Sequence, residues 1–150
     1  MKSVFVWGVG LALLVSGCCG VSKYLEQSKK AEGKTGIASM ASGVVACAAL
    51  SGGKLPATSA MVPASLSQVS GKKYASSAKD WEDPAFKCMK FSMSAPQYYQ
   101  YQWILKSPTA GIARAVADLD GDGKPDSTLE MDVSCPASGC TVSPSMRETP

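Results

Sequence analysis

The chain has 150 residues, 45% of them apolar and 18% charged, with a net charge of +3 and no histidine. That length suits one domain with a core of its own, and the weak, unclustered positive charge leaves no electrostatic footprint for nucleic acid. Without histidine there is no Ser-His-Asp or Cys-His arrangement, so the chain is not expected to be an enzyme; a hydrolase would need a carboxylate pair such as Glu82 with Asp83 or Asp118, and nothing marks one.

The N-terminus reads "MKSVFVWGVGLALLVSGCCG". Lys2 is a short positive region, Val4 to Val15 an apolar run, and Ser16-Gly17 a small-residue pair ahead of Cys18, the layout of a secretory signal peptide. The stretch "LVSGC" resembles the lipobox of bacterial lipoproteins, which implies lipidation at Cys18. A retained membrane anchor is the rival, because the uncharged run from Val4 to Val21 is near the lower limit for crossing a bilayer. Residues 1–17 are therefore expected to be a signal peptide or membrane anchor. Residues 18–150 are expected to form a single exported domain, placed in the cell envelope, where disulfides persist, and bound to the membrane through its N-terminus.

Residues 21–50 contain no proline, and Ile37, Met40, Ala41, Val44, Val45 and Ala48 recur at helical spacing. A helix is expected there, with Glu26 and Lys30 as a favourable i,i+4 pair. Gly33, Gly36 and Gly43 each cost about 1 kcal/mol in a helix interior, so a bend or break is expected at them. Ser51-Gly52-Gly53 is a stop signal. Residues 51–80, rich in Ser, Ala, Gly and Pro, read as a long surface connection with one short helical turn near Ala64–Val69.

From Trp81 the pattern changes to strands: "FKCMKFSM" (86–93), "QYYQYQWIL" (97–105), "GIARAVADL" (111–119) and "STLEMDVS" (127–134). Short connections between them favour an antiparallel meander, and the helix is the one substantial element able to cover a face. The expected fold is α+β, a long N-terminal helix on a four-stranded antiparallel sheet spanning 81–134, followed by a C-terminal loop and tail over 135–150. In "QYYQYQWIL", Tyr99, Tyr101 and Trp103 share one face and Tyr98 takes the other. Cross-strand and core packing is favoured over a stacking surface for sugars or bases.

Six cysteines are present: Cys18, Cys19, Cys47, Cys88, Cys135 and Cys140. None forms a C-x-x-C pair, so a zinc site is not expected. "CPASGC" reads as a small disulfide loop, Cys135–Cys140. Cys47 and Cys88 are either a second disulfide between helix and sheet or two buried thiols. Cys19 has no obvious partner.

The segment "ADLDGDGKPDST" (117–128) carries Asp118, Asp120, Asp122 and Asp126 at positions 1, 3, 5 and 9 of a loop, with Gly123 at position 6. Calcium takes six to eight oxygens, and these carboxylates with the Lys124 backbone carbonyl would supply most of them. Against a helix–loop–helix site, position 12 is Leu129 and the flanks read as strands. The other reading is a turn in which Asp-Gly supplies positive φ and the aspartates cap local amides. No cofactor is expected beyond this calcium.

The order of helix, long connection, strand meander and cysteine loop resembles the type IV pilins and pilin-like proteins. Two stretches carry the resemblance. "KYLEQSKKAEGKTGI" (23–37) is similar to the segment that follows the membrane-embedded half of the pilin helix. "DWEDPAFKCMKFSMSAPQYYQYQWIL" with "GIARAVADLDGDGKPDST" (80–128) is similar to a pilin sheet, in which a Trp opens the first strand and "ADLDGDG" links the last two. Together they cover roughly 65 of the 150 residues. The resemblance implies a structural or adhesion role, with other pilin-like subunits or surface molecules as partners. The chain departs from the family at its N-terminus: no acidic residue precedes Glu26 and no "GFTLIE"-like stretch occurs. The glutamate that registers subunits in the family's filaments is therefore missing.

Overall fold

The structure is a computed structural model that describes residues 18–150, with the side chains of its first helix described from Lys23 onward. The expected signal peptide or anchor over 1–17, and the side chain of Cys18, lie outside the described residues. Helix α1 (Cys18–Leu50) is followed by single 3-10 turns at Leu66–Gln68 and Ala78–Trp81 and by a short helix α2 (Pro84–Met89). Strands β1 (Gln100–Ser107), β2 (Ala110–Ala117) and β3 (Ser127–Ser134) form an antiparallel meander. Two short strands, β4 (Thr141–Val142) and β5 (Arg147–Thr149), both pair with the far edge of β3. The fold is thus α+β, one long helix on an antiparallel sheet.

The glycines of α1 do not break it. Gly33, Gly36 and Gly43 lie on its packing side, where a Cβ would collide with neighbours: at Gly33 with the Tyr99 ring and Leu129 at 2.7 Å, at Gly36 with the Tyr101 ring, and at Gly43 with the backbone of Met89. Their lost helix propensity is offset by close approach. The central strand answers in kind, because Ala113, Ala115 and Ala117 point at the helix with no exposure. Large side chains fill either side: Tyr99, Tyr101 and Trp103 from β1, and Leu129, Met131 and Val133 from β3, against Ile37, Met40 and Val44 of α1. The expected alternation of Tyr99, Tyr101 and Trp103 on one face holds, and that face is the core.

The strand expected over 86–93 is instead α2 and the turn after it. Its signal was local and was outweighed in the sequence by the aromatic and sulfur residues. Asp83 caps the helix, its Oδ1 accepting the Ala85 N–H at 2.8 Å, Pro84 occupies the first turn, and Lys90 ends it in the left-handed region. Phe86, Trp81 and Phe91 then pack edge-on, with ring centroids 5.0 Å and 5.5 Å from Trp81. The missing strand is made up at the other edge by β4 and β5, within the residues expected to be a loop and tail.

Both cysteine pairs within the described residues are disulfides. Cys47–Cys88 joins α1 to α2 across 41 residues, and Cys135–Cys140 closes the loop before β4. The free edge of β1 is covered by the 56–63 segment. Val62 pairs with Tyr101, the Ser59 N–H donates to the Trp103 carbonyl at 3.0 Å, and the Trp103 N–H donates to Ser59 Oγ at 2.9 Å. The helical turn expected near 64–69 is present at Leu66–Gln68.

Candidate functional site

The aspartate loop leaves β2 after Ala117 and enters β3 at Ser127. Asp118 is fully buried, and its two carboxylate oxygens take four donors. Oδ1 accepts from the Gly121 and Asp122 amides at 2.7 and 3.1 Å, and Oδ2 accepts from the Gly123 amide at 2.9 Å and the Ser70 hydroxyl at 2.5 Å. The Ser70 hydroxyl, with the loop amides behind it, holds this carboxyl below the usual carboxylate range. Asp126 does the same at the loop's other end, accepting from the Leu119 amide at both oxygens and from the Asp120 amide, each at 3.0 Å. Gly121 and Gly123, at φ of +83° and +89°, turn their N–H groups inward toward Asp118.

The loop is also fastened to the preceding connection. The Gly71 N–H donates to the Asp118 carbonyl at 2.8 Å, and a Cβ at Gly121 would lie 3.4 Å from the Gly71 Cα. This tie between residues 70–71 and the loop had no signal in the sequence, since Ser70-Gly71 looks like any other linker dipeptide.

Of the residues expected to ligate calcium, Asp118, Asp120 and Asp126 bring carboxylate oxygens within 4.8 Å of one another. Asp122 is not in that group: its Oδ1 accepts the Lys124 amide at 2.8 Å, so the loop uses the N–H of Lys124. A carboxylate has about four lone-pair sites, and at Asp118 four donors fill them. The donor set therefore fits backbone capture better than calcium. What the arrangement does chemically is fix the β2–β3 turn and bind it to the 70–71 segment.

Beside the loop runs an open groove of about 750 Å³ between α1 and the loops at the end of the sheet, lined by Leu25, Lys29, Lys73, Tyr98, Asp120 and Asp126 among others. Tyr98 stands in it with Lys29 and Lys73 ammonium groups 5.0 and 4.9 Å from its ring centre. The Lys29 Nζ also donates to the Leu119 carbonyl at 3.1 Å. Glu32 anchors the same flank, accepting the Tyr98 N–H at 2.6 Å, and its half-burial pushes its pKa up. Opposite charges face one another across this groove.

The part of α1 before this flank has a different character. From Lys23 to Ser28 every residue is exposed, with Tyr24 at 71% and Leu25 at 54%, whereas Gly33, Gly36, Ile37 and Met40 are buried. By length and composition α1 could cross a membrane, but its C-terminal apolar stripe is committed to the sheet and tied there by Cys47–Cys88. Comparison of the chain with known protein families, with characterised proteins and with solved structures gives no match.

Proposed function

We propose that the chain is an exported, non-enzymatic structural protein of pilin-like organisation, bound to the membrane of the cell envelope through its N-terminus and working through contacts with pilin-like subunits or surface partners. One observation carries this reading. The 23–28 stretch of α1 is exposed along its whole length and, in the sequence, joins the apolar N-terminal segment to the part of the helix committed to the sheet, as a stalk joins an anchor to a head. Two disulfides in a chain of this size agree with export, and the absence of any acidic residue before Glu26 favours a tethered head over a filament subunit.

Mass spectrometry of the mature N-terminus recovered from membranes tests the reading. An acyl group on Cys18 supports a tethered lipoprotein. A retained apolar helix supports a filament subunit, and an unmodified, unanchored soluble form overturns both. The rival is a calcium- or ligand-binding envelope lipoprotein outside any filament, favoured by the closeness of Asp118, Asp120 and Asp126. Because Asp118 has no spare lone pair, calorimetric titration with millimolar calcium is expected to give no heat. Measurable heat with a raised melting temperature transfers the assignment to the rival.

A further inference from the structure

The strand β5 is attached to the fold by backbone pairing and exposed charge. All three of its residues, Arg147, Glu148 and Thr149, are exposed, and they pair with Glu130, Leu129 and Thr128 along the last free edge of β3. Its side chains hold on by charge. Arg147 forms ion pairs with Glu130 and Asp132 on the outer face of the sheet, and Glu148 bridges Lys30 and Lys34 of α1 at 3.3 and 3.0 Å on the other. Met146, partly buried against the core, is the apolar contact just before it. Exposed ion pairs are each worth little, and a three-residue strand with no buried side chain belongs to the least stable part of a fold.

Lifting β5 would leave a strand edge at residues 128–130 flanked by acidic groups on one face and by two lysines on the other. An open edge is a template for another strand. The tripeptide that matches it is Arg-Glu-Thr, whose alternation puts a cation toward Glu130 and Asp132 and an anion toward Lys30 and Lys34. The connection "SPSM" (143–146) exposes Pro144 and Ser145 between the half-buried Ser143 and Met146, a hinge able to swing the tail outward.

We propose that the β5 seat on β3 and α1 is a strand-exchange site whose occupant is the same C-terminal segment, residues 146–150, of a second copy of this chain. The exchange creates no new contact; it replaces each intramolecular pair by its intermolecular twin.

The test uses full-length chains carrying one added cysteine each. Thr128 and Thr149 are opposite one another in the register, so Thr128→Cys and Thr149→Cys chains are mixed, incubated at high salt to weaken the ion pairs, then mildly oxidised. Exchange predicts a covalent heterodimer linked through positions 128 and 149. Its yield is expected to exceed by about tenfold that of Thr128→Cys mixed with Ser92→Cys, an exposed position outside the seat, because only a seated tail raises the local thiol concentration. A Thr128→Cys/Thr149→Cys double variant provides the second measurement. If it closes within one chain while the mixed single variants give no heterodimer above the control, β5 is a fixed strap and the proposal fails. If the double variant does not close, β5 does not occupy the seat and the proposal fails as well.

Discussion

Where α1 meets the sheet, small residues face large ones in a buried seam; where the tail meets β3, all three side chains of β5 are exposed and two of them are charged. The seam joins Gly33 and Gly36 to the rings of Tyr99 and Tyr101, and three alanines of β2 let the helix lie close. Each fully buried large side chain there contributes about 1.5–3 kcal/mol. The polar perimeter, made of the aspartate loop and β5, has many hydrogen bonds and ion pairs but little apolar burial. The two regions teach that the number of drawn interactions is a poor guide to where stability resides.

The sharpest way to break the seam is to overfill it. A leucine at Gly36 would have to occupy the volume of the Tyr101 ring, and it is expected to cost about 3 kcal/mol or to prevent folding. A leucine at exposed Ala49 of the same helix is expected to stay within about 0.5 kcal/mol of the parent. Urea unfolding of the two variants measures the difference. Equal stability would mean that α1 does not rest on the sheet as described.

The two disulfides repeat the contrast at a smaller scale. Cys47–Cys88 closes 41 residues of separation and Cys135–Cys140 closes 5. Loop entropy assigns about 4 kcal/mol to the first and about 2 kcal/mol to the second. The Cys47→Ala/Cys88→Ala pair should therefore lower the melting temperature more than Cys135→Ala/Cys140→Ala. The second pair should show its effect first in the tail, as faster amide exchange in β4 and β5 with β1 and β2 unchanged.

The seam was legible in the sequence because periodicity is a core signal. Ile37, Met40, Ala41, Val44 and Ala48 mark one helix face, and Tyr99, Tyr101 and Trp103 one strand face. The glycines were legible only as defects, since their purpose depends on the rings of Tyr99 and Tyr101 more than 60 residues away. The strand expected at 86–93 failed because Asp83-Pro84 is a helix start of two residues that strand-like Phe and Met side chains outweighed. The perimeter was hardest to read. Two- and three-residue strands carry no period, and β5 is specified by partners on α1, β3 and itself that no local pattern connects. Within the aspartate loop the spacing showed which residues converge, but the tie to Ser70 and Gly71 is long-range and left no trace.

Acid separates the regions most gently, and the sign of its effect differs from group to group. The Asp118 carboxyl is held below its ordinary value, first by the Ser70 hydroxyl and then by the Gly123 and Gly121 amides. Its contribution is therefore complete above the unfolded value of about 3.9 and is lost as the pH falls through the depressed folded value. Glu148, lowered first by its hydrogen bond with Lys34, behaves the same way. Glu32 runs in the opposite direction: burial raises it, so its contribution is complete below about 4.3 and is lost as the pH rises through the folded value. Acidification should thus loosen the loop and the tail while relieving the flank of α1, with only a small net change in melting temperature. The amide resonances of Gly121 and Gly123 are expected to shift together at an acid midpoint below the ordinary carboxylate range, and Asp118→Asn should abolish that shared titration. Separate midpoints for the two glycines would mean that Asp118 does not hold both, and the loop would then have to be organised by Asp126 alone.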